Sequence, residues 1–542
     1  MSDITIFSAK KIITMDPNLP EATHVAVREG KILAVGGAGC ADQWGGGTLD
    51  KSMDGMVLCP GFVEGHAHMT AGAMWNYAYA GYHDRIDPKG NLWRGMTNID
   101  EVIAGLKEFC ETLPDGAPLI GWGFDPIFLT TQRLNRAHLD QISTDRPIAI
   151  VFSNFHLLCA NSKALEMAEY TGASNVEGVV KDADGNPTGE LQEMAAMFPV
   201  MRRLGIEFGE LSQTEGAIRS YAEVACRAGV TTVTDLFAAM QDSDLELMLK
   251  VTAESDYPLR IVSVQGAMGI SPEDLAKRAL EMRGKSTDKL RLGAVKLMTD
   301  GSIQGWTARV KWPGYIDGQP NGIWNTPPEL IQDICEVMHK NGIQMHIHVN
   351  GDEAAEVSID AIEAAIRKSP WDGHRHVLQH CQMMSADQYR RCAEMGICTN
   401  IFSNHIWYFG DQHSTRTLGA ERASRMNAAR SALDAGVHIA LHSDAPVTPM
   451  GPLFTAWCAV NRQTMTGKTL GENQCISVDE ALYAITLGAA YTLRMDGEIG
   501  SIEPGKAADF AILGDDPTQV EPCQLFKVPV LGTVSGGVVH LL

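Results

Sequence analysis

The sequence predicts an α/β protein: a (β/α)8 barrel of the TIM type, with a small β-sandwich assembled from both chain ends and an insertion after the first barrel strand. Three observations predict it. β-Rich runs cluster at the two termini, eight short apolar runs alternate with helical stretches between them, and the segment from about 70 to 210 is too long for one βα connection.

At the N-terminal end, "ITIFSAKKIITM", "HVAVREGKILAVG" and "MDGMVLCPGF" are strand-like runs separated by Asp, Pro and Gly turns. "ADFAILGDDP" and "VLGTVSGGVVHLL" have the same character at the other end. Residues 1–58 and 497–542 are therefore expected to pair as one composite β domain, and residues 59–496 to form the barrel. The apolar run before His66 is the first barrel strand. Runs 228–237, 259–266, 291–301, 342–352, 374–381, 396–405 and 435–446 supply the other seven. Helices are expected between them at "ELSQTEGAIRSYAEVACRA", "SPEDLAKRALEMRG", "TPPELIQDICEVMHKNG", "DEAAEVSIDAIEAAIRKS", "SADQYRRCAEMG" and "RASRMNAARSALDAG". These space apolar residues at the helical period, several with Ser, Thr or Asp near the start and Gly at the end. The insertion at about 70–210 carries strands of its own, "PLIGWGF" and "PIAIVFSNFH", and reads as a cap.

A formal charge of −22 over 542 residues argues against nucleic acid or an anionic membrane as partner, since both reward clustered lysine and arginine. No run reaches the roughly 18 apolar residues of a membrane span, and the sequence start lacks a charged leader with an apolar core. A cytoplasmic protein acting on a small molecule is expected. The 12 cysteines include no CxxC pair, which suits reduced thiols and no disulfide framework.

The chemistry starts at "GFVEGHAHM". Side chains two apart on a strand share a face, so His66 and His68 emerge together while Ala67 turns away. Active-site residues of such barrels come from the C-terminal strand ends. There the fourth strand holds Lys296, the fifth ends with His346 and His348, the sixth holds His380, and the eighth ends with Asp444. Spacing leaves His346 and His348 equally open. His374 and His376 share parity with His380 but sit too early to reach the barrel mouth, and His438 and His442 share the face of Asp444. A lysine inside an apolar strand needs an explanation, because an unpartnered buried ammonium is expensive. Carboxylation by carbon dioxide would turn Lys296 into an anionic carbamate ligand; the alternative is an ion pair, with Asp300 as candidate.

The order HxH, strand-four Lys, strand-five His, strand-six His and strand-eight Asp resembles the amidohydrolase superfamily of metal-dependent barrel hydrolases. "GWGFDP", "GNPTGELQE", "VKLMTDGS", "HVNGDEA", "QHCQ", "SDAPVTPMGP" and "GSIEPGKAADFAIL" are similar to its branch typified by N-substituted formamide deformylase. The resemblance covers essentially the whole chain. It implies that His66, His68, a carboxylated Lys296, His348, His380 and Asp444 hold one or two divalent ions, with two zinc ions favoured. In this branch the strand-five ligand precedes "xxGD", which selects His348. Asp444, Lys296 and His380 would be catalytic, Asp444 as the proton shuttle. His442 stands where the branch usually has a smaller residue, and "HVN" replaces "HAI". Related barrels often pair, so a homodimer is expected.

For substrate, the expected mouth is rich in rings. Trp122, Trp306, Trp324 and Trp407 are candidates to line a pocket for an apolar or aromatic group, with His156 and Arg309 for polar contacts. The glycine-rich stretch "GSIQGWTARVKWPGYIDGQPNGIWN" is a candidate lid. The expected reaction is hydrolysis of an amide C–N bond in a small, N-substituted compound. The same site could instead open an ester, lactone, carbamate or cyclic amide, or act as a deaminase or decarboxylase. A non-catalytic binding or regulatory barrel is the remaining reading.

Overall fold

In a computed structural model, residues 4–129, 133–206 and 212–542 are described. Eight parallel strands pair in chain order: Phe62–Glu64, Val230–Ala238, Arg260–Gly266, Val295–Met298, Met345–Val349, Val377–His380, Cys398–Ile401 and Ile439–Leu441. A bridge between Ala67 and Ala445 joins the eighth strand's end to the first, and His68 N donates to Ala445 O at 2.8 Å. The ring thus closes at the height of the site. Register fixes which groups share a level: Lys296 lies opposite His346, Met298 opposite His348, and Val349 opposite His380.

Apolar burial explains both the strands and their helices. Val230, Ile261, Val295 and Ile347 from strands share one core with Ile331, Ile334, Ile359 and Ile362 from helices. The helices Glu215–Arg227, Pro272–Arg283, Pro328–Lys340, Asp352–Lys368 and Ala386–Met395 fall on the expected segments. Their ends follow local chemistry. Thr214 and Ser271 accept from the third residue of their helices, Ser385 and Gln388 form a reciprocal cap, and Gly396 closes the last in the left-handed region.

Two expected elements differ. "RASRMNAARSALDAG" is two helices, Ala420–Ser424 and Ala429–Asp434, because Asn427 between them has φ +49°. Its N–H goes to Gln382 O, and its carbonyl is claimed by the buried Arg462, which also holds Met426 and Leu470 carbonyls. The 396–405 run keeps only Cys398–Ile401 as strand and turns into helix Asn404–Gln412. There Ile406 and Phe409 recur at helical spacing in a separate apolar cluster.

Seven terminal strands form one sheet, in the order Val538–Leu541, Val530–Ser535, Phe510–Leu513, Thr48–Pro60, Thr5–Ile13, Glu21–Arg28, Lys31–Gly36. The sheet folds over on itself. Lys31 on its last strand bridges to Ala507, just before Phe510–Leu513, and Ile32 and Val534 from opposite ends share a core with Phe7 and Phe510. The insertion has its own six-stranded sheet, from Ala78–Tyr79 to Pro187–Gln192, and the helix Glu193–Leu204 packs Ala196 and Val200 against Val151 and Leu158. Among the described residues no helix is long and apolar enough to cross a membrane, and all 12 cysteines are free.

Candidate metal centre

His66 and His68 leave the first strand together, as their parity requires. His66 is buried, and its Nδ1 lies 2.7 Å from Gln379 Oε1, whose amide nitrogen reaches His346 Nδ1 at 2.8 Å. The amide oxygen accepts, so His66 carries its proton on Nδ1 and leaves the Nε2 lone pair for the barrel mouth. That Nε2 is 3.4 Å from Asp444 Oδ1 and 3.4 Å from Lys296 Nζ. His68 Nε2 lies 3.2 Å from Asp444 Oδ1, and His380 Nδ1 3.7 Å from Asp444 Oδ2. His346 is engaged through Nδ1 by the same Gln379, and of the two residues that spacing left open, His348 is the one that lines the cavity.

His348 belongs to the same cavity but is turned aside. Its Nε2 sits 3.1 Å from Gly301 O and 3.0 Å from Asn350 Nδ2, while its ring lies 4.5 Å from that of His380. Two donor sets lie within 4.8 Å, His66 with His68 and Asp444, and His66 with His380 and His442. His442 lies flat between His66 (4.7 Å, 18°) and Phe402 (4.7 Å, 28°). Its ring plane is therefore close to parallel with that of His66.

Lys296 is fully buried and makes no ion pair among the described residues. Burial pulls its ammonium from 10.5 to about 7, with Asp444 pulling the other way. The alternative partner is spoken for: the Asp300 carboxylate accepts main-chain N–H groups of Arg309, Asn350 and Gly351 at 2.9–3.1 Å. Burial also holds His66, His348 and His380 well below 6.5 and His442 at about 3, so these imidazoles are neutral. Asp444 is pushed up by burial, but the hydrogen bond and charge of His68 outweigh this and keep it a carboxylate. Neutral imidazoles and a carboxylate are the donors a divalent cation of the zinc type takes. His380 Nδ1 is buried without a hydrogen-bond partner among the described residues, which a cation beside it would relieve; both nitrogens of His442 are unpartnered as well.

Backbone strain marks the same place: His380 and Asp444 have φ of +72° and +54°. The Asp444 turn is clamped from both sides. Ser443 donates through N and Oγ to the Glu64 carboxyl at 3.1 and 2.8 Å, and burial lifts that carboxyl to about 8. From the insertion, Arg85 donates to the Pro446 and Val447 carbonyls at 3.1 and 2.7 Å.

A cavity of about 580 Å³ opens above His66, His68, Lys296, His348, His380 and Asp444. Of the six candidate substrate contacts, His156 lines it. The ring is held by Glu193, whose Oε2 is 2.7 Å from His156 Nδ1 and accepts from Asn325 Nδ2 at 2.8 Å. Burial would lower the His156 pKa, but Glu193 outweighs it and the net shift is upward. The other five are packed elsewhere. Trp122 is buried against Trp75 and Tyr79, Trp306 lies between Arg133 and Arg416, and Trp407 packs on Tyr408 and Phe454. Arg309 covers Trp324 and pairs with Glu353 at 2.9 Å. Nor does the candidate lid at 301–325 line the cavity. The upper wall comes instead from helix Glu193–Leu204, with Phe237, Met268, Ile270 and Met298 from strand ends and loops. The sequence signal for that wall was Met194, Met197 and Met201 at i, i+3 and i+7.

Comparison with known proteins decides what kind of barrel this is. A profile of the amidohydrolase family matches residues 53–540. The chain belongs to the amidohydrolase family. This amidohydrolase is a metal-dependent hydrolase acting on C–N bonds. It is similar to N-substituted formamide deformylase of Arthrobacter pascens, 27% identical over 562 aligned positions that cover 100% of this chain and 98% of that one. It is also 27% identical to the protein LONG AFTER FAR-RED 3 of Arabidopsis thaliana, over 97% of this chain and 89% of the relative. Among solved structures, a metal-dependent hydrolase from Pyrococcus horikoshii shares the fold with a TM-score of 0.72 at 23% identity, covering 96% of this chain and 99% of that one. Atrazine chlorohydrolase TrzN from Arthrobacter aurescens TC1, complexed with zinc, superposes at 0.55 with 15% identity, over 99% and 95% of the two chains.

Proposed function

We propose that this amidohydrolase cleaves the C–N bond of a small, N-substituted, largely apolar amide. In this reading His66, His68, Lys296, His348, His380 and Asp444 hold divalent metal, two zinc ions being favoured, with Lys296 carrying carbon dioxide as a carbamate. The observation that carries it is Lys296: a buried amine with no ion pair among the described residues, 3.4 Å from His66 Nε2, among neutral imidazoles. As an ammonium it is costly there, whereas as a carbamate it supplies an anionic oxygen pair. A bound divalent ion would bring the pKa of water toward neutrality and polarise a carbonyl.

The chain's own groups do the rest. Asp444, an ionised carboxylate at the mouth, accepts the proton of the attacking water and returns it to the departing nitrogen. Glu64 and Arg85 keep its turn in place for that exchange. His156, fixed through Nδ1 by Glu193, offers its other nitrogen to a polar group of the substrate. His348 joins the ligands by releasing Gly301 O and Asn350.

The deciding experiment is metal content per chain for wild type and Lys296→Ala, beside hydrolysis of N-substituted formamides and acetamides. Two zinc ions falling to one or none, with amide turnover lost in Asp444→Asn, are expected. One ion in both proteins would remove the bridging lysine, and inactivity of wild type on every amide would remove the substrate reading. We carry a cytoplasmic homodimer with this proposal; the 12 free thiols suit a reducing compartment.

A further inference from the structure

The floor of the cavity is ligand chemistry, but the rest of its lining is mostly apolar and rich in methionine, with Arg202 and Gln213 as polar members. Met194, Met197 and Met201 occupy one face of helix Glu193–Leu204, and Met268 and Met298 come from the barrel side to meet them. Phe198 and Met268 remain 37% and 36% exposed where the hollow opens. An uncovered apolar rim that runs down to a polar floor marks a binding hollow. Its material matters. A wall of indole rings presents a rigid slot for one flat guest, and those rings are packed elsewhere in this fold. Methionine is unbranched, turns about three bonds and is polarizable, so five of them reshape around guests of different outline.

We propose that this hollow takes the apolar part of the amide and selects it by apolar surface rather than by shape. The substrate class is then secondary amides bearing a large alkyl, branched or aryl group. This deepens the hydrolase reading above and rests on it, since it sets that group beside Lys296 and Asp444. The volume, about 580 Å³, is in the range that encloses drug-sized guests.

The test uses neutral guests that cannot be hydrolysed: 1-butanol to 1-octanol, cyclohexylmethanol and 2-naphthylmethanol, titrated calorimetrically into the metal-loaded protein. Each added methylene should tighten binding about fourfold until the hollow is full. The two ring alcohols should fall on the same line against apolar area, within about threefold. A ring alcohol about tenfold or more off that line, or a series with no dependence on chain length, overturns the proposal. Phe198→Ser, at an exposed position, should weaken octanol by about threefold to tenfold, and Met197→Lys should abolish the series, with its melting curve run alongside. Wild-type binding by both variants also overturns it. Loss of the series with amide turnover intact sinks the hollow alone; an intact series without turnover or metal sinks the hydrolase reading alone.

Discussion

Replacing Lys296 with methionine should stabilise the protein without metal, and that advantage should vanish when metal is bound. Burial lowers its ammonium from 10.5 to about 7, so the folded protein holds this proton less tightly than the unfolded chain. At about 1.4 kcal/mol per pH unit, the full shift corresponds to about 5 kcal/mol of penalty. A group with a depressed cationic pKa penalises the fold most below its folded value, and the penalty fades as pH climbs from about 7 toward 10.5. In EDTA at pH 6, Lys296→Met should therefore be more stable than wild type by about 3–5 kcal/mol, and the gap should narrow by pH 9.5. Metal that binds only the folded state adds about 4 kcal/mol when free metal exceeds Kd a thousandfold, so with zinc present the gap at pH 6 should close and wild type should lead at pH 9.5. Urea midpoints in both buffers measure all four states. A variant that is less stable than wild type in EDTA at pH 6 would refute the argument that this amine is a burden awaiting carboxylation.

Arg85→Met should cost about 2–4 kcal/mol by stranding the Pro446 and Val447 carbonyls, and should lower kcat at least about tenfold by loosening the Asp444 turn; melting and turnover read the two effects. Because Glu193 raises the His156 pKa above 6.5, their pairing stabilises the fold below that pH and is lost as pH rises through the folded value. Glu193→Gln should abolish this part of the difference between melts at pH 5.5 and pH 8, and should raise KM more than it lowers kcat. His442→Leu should leave metal content unchanged and add about 1 kcal/mol by removing two unpartnered buried nitrogens; a fall in bound metal would make His442 a ligand. Gel filtration should show a species near twice the 58.8 kDa of the chain, and a monomer peak would end the dimer proposal.

The strands of the barrel were readable because strands covered on both faces appear as apolar runs between helical periods, and the period of two then placed His66 with His68 on one side. Lys296 announced itself as a cation in such a run. What periodicity cannot give is the direction of a ring on a loop. Trp306 and Trp324 sit in a segment without a repeat, and each found a guanidinium to pack against rather than the cavity. The helix at 420–434 was unreadable for a related reason. Its break at Asn427 is imposed by Arg462, 35 residues further along the chain, whose buried guanidinium claims the Asn427 carbonyl. Spacing likewise left His346 and His348 equal; the "xxGD" pattern favoured His348, and it is His348 that lines the cavity.

The terminal sheet has a bearing on how the enzyme is made. Cys59 pairs with Ala511 about 450 residues later, and all six residues proposed to hold metal, from His66 to Asp444, lie between those two points. While a ribosome is still synthesising the chain, the strand that completes this sheet emerges only after the whole barrel has. Contacts of such sequence separation form late, after the loop they close has been ordered. Nascent barrels thus hold their histidines before the clasp exists, and truncation before Phe510 should leave a chain with every ligand and no finished enclosure for them.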